Sequence, residues 1–178
     1  MKFGYLLGSL RSGSLNAVVA KELQALVPAD VQVESVGECG SLPHYDADLQ
    51  ADGFPEQVVA MAKAISEANA LVIVTPEYNY SIPGVLKNAF DWLSRLPVNP
   101  FAGKPIAIQT ASPGMIGGAR AQYHLRQMLV YLDANVLNKP EVFIGLAGEK
   151  IDAEQGIITD SSTREHIAKQ LLALHNAV

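Results

Sequence analysis

Short apolar runs alternate with amphipathic stretches along most of this chain, and that alternation constrains its fold more than any other feature. Apolar runs bounded by turn residues, together with one more alternating run, lie at 3–7, 31–36, 71–74, 106–108 and 142–144. Apolar residues recur at helical spacing between and after these runs, within residues 15–26, 58–65, 85–93, 125–132 and 167–174. The pattern predicts five strands alternating with five helices.

Strands that alternate with helices form a parallel sheet covered on both faces, because each connection crosses back over the sheet. We therefore predict a single α/β domain over residues 1–178. The expected architecture is a flavodoxin-like three-layer sandwich with a five-stranded parallel sheet in the order 2-1-3-4-5. In that order the loops after strands 1, 3 and 4 meet in one crevice. The last helix is expected to begin after Thr163, with Ser162 and Glu165 spaced as a capping box.

The loop at residues 8–16, GSLRSGSLN, lies where the first strand should turn into the first helix. Unpaired amides and the positive end of the helix dipole favour an anion at such a helix start. Ser9, Ser14 and Asn16 can donate hydrogen bonds to phosphate oxygens, and Arg11 adds a positive charge. The alternative is a helix start that Ser14 caps, with Arg11 in solvent and no ligand.

This loop lacks the residues that other nucleotide-binding loops require. A Walker motif needs Lys and then Ser or Thr after its second glycine, whereas Ser14 and Leu15 follow Gly13 here. The dinucleotide fingerprint G-x-G-x-x-G is also absent from this turn. A monophosphate therefore fits the loop better than a triphosphate or a dinucleotide.

The other two loops of the expected crevice can border a flat ring. Residues 75–84 carry two prolines and two tyrosines, so a stiff main chain can face the edge of a heterocycle while Tyr78 or Tyr80 provides a wall. Glu77 is either a hydrogen-bond acceptor or exposed. Residues 111–118 are rich in glycine, and Ser112 is their expected side-chain contact. For residues 75–84 the alternative is an ordinary turn in which Pro83 begins a helix. For residues 111–118 it is a mobile loop at a helix start that binds no ligand.

Composition excludes several classes of function. A net charge of −5 without a Lys/Arg cluster gives no attraction to nucleic acid, and no apolar run approaches the roughly 20 residues that span a bilayer. We expect a soluble, cytoplasmic protein. Cys39 is the only cysteine, so any redox chemistry requires a cofactor. Neither the four histidines nor the acidic residues at 46–53 have metal-ligand spacing, and Met115, Met128 and Trp92 are expected to fill a core or an interface.

Four motifs of the chain occur together in one known family: GSLRSGSLN at 8–16, TPEYNYSIPGVLKNAFDWLSR at 75–95, GGARAQYHLRQ at 117–127 and NKP at 138–140. Together they resemble the NADPH-dependent FMN reductases of flavodoxin-like fold, especially the bacterial quinone reductases also called chromate reductases. The resemblance implies FMN as cofactor, with its phosphate held by Ser9, Arg11, Ser14, Leu15 and Asn16. It places the flavin ring beside Pro76, Glu77, Tyr78, Asn79, Tyr80 and Ser81, with Ser112 and Gly114 on the other side.

The same resemblance implies an FMN-dependent oxidoreductase that uses NADPH or NADH as donor. A quinone, or an oxyanion such as chromate, would then take two electrons in a ping-pong sequence, and no residue of the protein is assigned as catalytic. Family members are usually dimers or tetramers, so residues 90–95 and the segment near Arg126 are expected contact surfaces. The alternatives are a flavodoxin-type electron-transfer module, a ligand-free domain, and an azo or nitro reductase.

Overall fold

A computed structural model describes residues 1–178. The strands are β1 (Lys2–Leu7), β2 (Gln32–Glu38), β3 (Ala70–Val74), β4 (Pro105–Ala111), β5 (Asn135–Val136), β6 (Val142–Ile144), β7 (Ile151–Asp152) and β8 (Ile157–Ile158). The helices are α1 (Leu15–Leu26), α2 (Ala47–Ala51), α3 (Glu56–Glu67), α4 (Gly84–Leu93), α5 (Ala119–Tyr131) and α6 (Ser161–His175). None of these helices combines the length and the apolarity that crossing a bilayer requires.

The main sheet is parallel and has the order β2-β1-β3-β4-β5, which confirms the predicted flavodoxin-like topology. Its last strand is split, because β5 pairs with the start of β4 and β6 pairs with its end. Pro140 lies in the interruption, where a residue without an amide proton cannot extend the ladder. The antiparallel pair β7 and β8 was not predicted, since two-residue strands carry no readable periodicity.

Two apolar clusters cover the two faces of the sheet and form the predicted three layers. Alternate residues of β3 point to opposite clusters, with Leu71 and Ile73 on one side and Val72 and Val74 on the other. Helices α3, α4 and α5 pack against the first face, and α1 and α6 pack against the second. Every residue of β3 is buried, which explains why a continuous apolar run marks this central strand.

The start of α6 differs from the sequence expectation. The helix begins at Ser161, and its N-cap is Asp160 rather than Ser162. The Asp160 carboxylate accepts hydrogen bonds from the Thr163 amide at 2.7 Å and from the Thr163 hydroxyl at 2.6 Å. These bonds hold the pKa of Asp160 below its usual range. A carboxylate also interacts favourably with the positive helix end. Asp160 is therefore the N-cap of α6, and the prediction of Ser162 as the N-cap is wrong.

Trp92 on α4 holds the irregular connection between β2 and α3. Its fully buried indole donates a hydrogen bond to the Pro43 carbonyl at 2.8 Å and meets the Tyr45 ring edge-on at 5.1 Å between centroids. Asn88 donates to the same carbonyl. Nearby, burial raises the pKa of the Cys39 thiol to about 12, so this thiol stays protonated at neutral pH. Trp92 therefore belongs to the core, as the sequence predicts.

We expect Trp92→Phe to lower the free energy of unfolding by about 1–3 kcal/mol, because it removes a buried hydrogen bond and leaves unfilled volume. Urea unfolding measures this loss, and hydrogen exchange should accelerate within residues 42–54. Phe3→Leu is the matched control, since Phe3 is also fully buried but lies in the other cluster. It should lower stability without faster exchange in that segment. Unchanged exchange in Trp92→Phe would show that the connection is held by other contacts.

Candidate functional site

The loops after β1, β3 and β4 meet around a cavity of about 300 Å³ at the carboxyl ends of the sheet. All the residues predicted from the first loop line it, and the other two loops contribute Pro76, Glu77, Tyr78, Ala111, Ser112 and Pro113. Four predicted residues belong to the same loops but do not line this cavity, namely Asn79, Tyr80, Ser81 and Gly114. No group of three metal-ligating side chains gathers anywhere in the structure.

The first loop leaves β1 through a close contact with the second loop. The Gly8 amide donates to the Val74 carbonyl at 2.8 Å. A Cβ atom at Gly8 would lie 2.3 Å from Oγ1 of Thr75, so no other residue fits without displacing the second loop. The two loops therefore approach each other closely at the base of the cavity.

The start of α1 presents free hydrogen-bond donors to the cavity. Oγ of the buried Ser14 accepts from the Ala17 amide at 3.3 Å, which leaves the hydroxyl proton available for a ligand. The amides of Leu15 and Asn16 have no intrahelical acceptor, and the first turn contains no acidic residue. Ser14 is thus the N-cap of α1, as in the ligand-free alternative. As a cap it only accepts a hydrogen bond, so its hydroxyl proton and the Leu15 and Asn16 amides remain available to an anion.

Arg11 and Ser9 complete the first loop. Arg11 is exposed and makes no ion pair with any residue of the chain, whereas Ser9 is only 7% exposed. One unpaired cation and a buried hydroxyl therefore lie beside the uncapped amides. This end of the cavity has the donors and the charge that suit a phosphate group.

Asn16 connects the first loop to the third. Its side chain is 3% exposed, its Nδ2 donates to the Ala111 carbonyl at 2.9 Å, and its Oδ1 accepts from the Ala111 amide at 2.9 Å. The sequence suggested only a donor to phosphate, and the pairing with Ala111 was not foreseen. One Nδ2 proton remains for a ligand.

The second loop contains a tight and strained hairpin turn. Tyr78 and Ser81 exchange both backbone hydrogen bonds, at 2.8 and 2.9 Å. The two residues between them have left-handed backbones, with φ of 49° at Asn79 and 67° at Tyr80. Asparagine tolerates this conformation, but a tyrosine adopts it only when its surroundings impose it. The sequence attributed the stiffness of the loop to its prolines and missed this turn.

The sequence left open whether Glu77 accepts a hydrogen bond or is exposed, and the structure shows that it accepts one. Its Oε2 accepts a hydrogen bond from the Ala121 amide in the first turn of α5 at 3.1 Å. Its Oε1 lies 3.6 Å from Nη1 of Arg120, and the Arg120 guanidinium lies 4.1 Å from the centroid of the Tyr80 ring. The second loop is therefore tied to the helix that follows the third loop.

The third loop is fastened to the segment that follows β6. The Ser112 amide donates to the Ile144 carbonyl, and the Ser112 carbonyl accepts from the Ala147 amide, both at 3.0 Å. A Cβ atom at Gly145 would lie 2.2 Å from the Met115 carbonyl oxygen, so this contact requires glycine. Met115 itself is 83% exposed and lies outside the core, because the loop turns its side chain away from the sheet.

The cavity has two chemically different ends. Hydroxyls, free amides and Arg11 gather at the start of α1, whereas Pro76, the half-exposed Tyr78 and Pro113 form walls without charge. Glu77 is the only carboxylate among the lining residues, and both of its oxygens face positive or amide groups. These residues fit a ligand that joins a phosphate to a planar ring, as FMN does.

Comparison with known proteins agrees with this geometry. The family model for NADPH-dependent FMN reductase matches residues 1–149. A quinone reductase from Escherichia coli (strain K12) is 55% identical over 169 residues, covering 94% of this chain and 90% of the relative. An NAD(P)H-dependent FMN reductase from Pseudomonas aeruginosa is 52% identical over 167 residues, covering 94% and 89%.

A solved structure extends the similarity to the whole fold. FerB, a flavoenzyme NAD(P)H:(acceptor) oxidoreductase from Paracoccus denitrificans, superposes with a TM-score of 0.88 at 36% identity, covering 98% of this chain and 95% of that one. The sequence match, the fold and the phosphate-and-ring cavity point to the same conclusion. This chain belongs to the NADPH-dependent FMN reductase family.

Proposed function

We propose that this protein is an FMN-dependent NAD(P)H oxidoreductase that reduces quinones by two electrons. The observation that carries the proposal is one cavity in which a helix start with free donors and no acidic residue meets the walls formed by the second and third loops. The quinone reductase from Escherichia coli, at 55% identity over 94% of this chain, supports the same substrate class.

The phosphate of FMN would bind at the start of α1. Ser9 and Ser14 would donate their hydroxyl protons, and the Leu15 and Asn16 amides would donate along the helix axis. Arg11 would add charge-assisted hydrogen bonds worth about 1.5–3 kcal/mol each. Because Ser9, Ser14 and Asn16 are buried, most of these donors are already in place before binding.

The ring would lie along residues 76–81, with Ser112 and Gly114 opposite. Bound FMN supplies the redox chemistry, since its ring can take a hydride from a nicotinamide nucleotide and pass two electrons to a quinone. The protein would bind and orient the ring. Among the lining residues only Glu77 could act as a carboxylic acid or base, and its contacts with Ala121 and Arg120 already occupy it. We therefore assign no catalytic residue.

Donor and acceptor would use one open face in turn, which is a ping-pong sequence. Either NADPH or NADH fits this scheme, and so does an oxyanion such as chromate as acceptor. The half-exposed Tyr78 leaves this side of the cavity accessible to large aromatic substrates. We place the reaction in the cytoplasm, where both nicotinamide nucleotides are available.

We also propose a homo-oligomer, either a dimer or a tetramer. Within residues 90–95 the side chains of Trp92 and Leu93 are fully buried in the core, so only the other side chains of this segment can contact a partner. Arg126 is likewise engaged, donating to the Leu137 carbonyl at 2.9 Å. The surface that supports assembly is a groove of about 200 Å³ between α4 and α5, which residues of this 90–95 segment line together with the exposed Tyr131.

Purified protein loaded with FMN should oxidise one equivalent of NADPH per flavin alone, and should turn over further NADPH only when an acceptor such as benzoquinone is present. Initial rates at several concentrations of both substrates should give parallel double-reciprocal lines, as a ping-pong sequence requires. Chromate and an azo dye, assayed alongside, rank the acceptors. Protein that holds FMN without turnover would be an electron-transfer module instead, and protein that takes up no FMN would contradict the cofactor assignment.

Arg11→Ala should raise the Kd for FMN about 10- to 100-fold, the equivalent of losing about one charge-assisted bond. Fluorescence quenching of free FMN on binding measures the change. Lys21→Ala is the matched control, because Lys21 is an exposed cation on α1, the helix that follows the loop of Arg11, but does not line the cavity. Both variants should unfold at the parent temperature. Equal Kd values for Arg11→Ala and the parent would remove Arg11 from the phosphate site.

Replacing Tyr78 should change catalysis more than stability, since its ring is 49% exposed beside the cavity. We expect Tyr78→Leu to alter kcat/KM unequally across a series of quinones, because the wall against which they bind has changed. Tyr78→Phe keeps the aromatic face and should follow the parent. If Tyr78→Leu gave the parent ratios for every quinone, Tyr78 would not border the acceptor.

A further inference from the structure

We propose that Glu77 is a positioning residue that holds the strained turn at residues 78–81 in the shape that the flavin ring requires. It would do so by capping α5 from outside the helix and by fixing Arg120 over Tyr80. The link between the turn and the flavin ring rests on the proposed function. The effect of Glu77 on the turn does not depend on that function and can be measured in protein without FMN.

The first step of the argument is that α5 cannot cap itself. Its N-cap position is Gly118, which has a left-handed backbone with φ of 86°. A Cβ atom there would lie 2.7 Å from Cβ of Thr110, so the position excludes any residue with a capping side chain. The first turn of α5 also lacks an acidic residue. Its unpaired amides therefore need an acceptor from elsewhere in the chain.

Glu77 provides that acceptor from a loop that is 44 residues distant in sequence. Its side chain is 15% exposed, and its Oε2 accepts a hydrogen bond from the Ala121 amide at 3.1 Å. A negative charge at this place also interacts favourably with the positive end of α5. The contact fixes the first residues of the second loop against α5.

The second oxygen of Glu77 extends the contact to the turn. Oε1 lies 3.6 Å from Nη1 of Arg120, and the guanidinium of Arg120 lies over the Tyr80 ring at 4.1 Å. Tyr80 is the residue that carries the strained left-handed conformation. Glu77, Arg120 and Tyr80 thus form a chain of contacts that holds the ring of the strained residue in place.

This arrangement gives Glu77 a role that differs from direct contact with the cofactor. One oxygen accepts from the Ala121 amide of α5, and the other lies beside the Arg120 guanidinium. The turn at residues 78–81 begins at Tyr78, which lines the cavity together with Pro76 and Glu77. Loss of the carboxylate should therefore loosen the turn first. Weaker ring binding would follow from that loosening.

Two variants separate the two functions of the carboxylate. Glu77→Gln keeps an oxygen for the Ala121 amide but loses the charge that attracts Arg120, whereas Glu77→Ala loses both. In protein without FMN we expect exchange of the Tyr78 and Ser81 amides to accelerate at least tenfold in Glu77→Ala and less in Glu77→Gln. The Ala121 amide should exchange faster only in Glu77→Ala.

The same variants should affect cofactor binding in the same order. We expect the Kd for FMN to rise at least fivefold in Glu77→Ala, with a larger change in the KM for a quinone than in kcat. Asp160→Ala is the matched control, because it removes a carboxylate cap from α6, outside the cavity. It should lower the unfolding temperature without changing exchange at residues 78–81 or the Kd for FMN.

Unchanged exchange at Tyr78 and Ser81 in both Glu77 variants would overturn the proposal, even if the unfolding temperature fell. A loosened turn with an unchanged Kd for FMN would also overturn it, because the turn would then not shape the ring site. If the parent protein bound no FMN at all, the proposed function would fail, and the exchange experiment would still decide whether Glu77 holds the turn. Should Glu77→Ala fail to fold, Glu77→Gln alone gives the decisive exchange comparison.

Discussion

The paired hydrogen bonds between Asn16 and the Ala111 backbone set the dimensions of the site. Strand β3 lies between β1 and β4, so this pair connects the two loops that flank the central strand. A buried carboxamide that lost its partners would be costly, which makes the pair a stringent constraint on the spacing of the loops. The start of α1 and the wall formed by the third loop are therefore held in one frame.

The two helix starts beside the cavity are electrostatically different. Helix α1 is capped by the neutral hydroxyl of Ser14 and has no acid in its first turn, so its positive end stays available to a ligand. Helix α5 receives the Glu77 carboxylate, which partly compensates its positive end. An anionic group is thus favoured at α1 over α5. This difference orients a ligand that has a charged end and a neutral ring.

Periodicity in the sequence was enough to predict the layers and the three loops, because burial on a sheet or a helix leaves a local pattern. The strand order was chosen as the flavodoxin-like one, and the structure confirms that choice. The pairing of Asn16 with Ala111 spans 95 residues and that of Glu77 with Ala121 spans 44, so no local pattern could reveal either one. The left-handed turn was missed because Asn79 and Tyr80 carry it without a glycine to mark it, and the split last strand was missed because its halves are only two and three residues long. Asp160 was overlooked because a serine-based capping box lay two residues further along.

Burial differs sharply between the two ends of the site, and this difference bears on specificity. Ser9, Ser14 and Asn16 are at most 7% exposed, whereas Tyr78 is 49% exposed. Donors fixed by packing lose little entropy when they bind a phosphate, so a cofactor should be retained tightly. An open wall imposes few steric or hydrogen-bonding demands on a second substrate, and such a site discriminates poorly among acceptors. A tightly held cofactor beside a permissive opening is thus a direct consequence of how the three loops are packed.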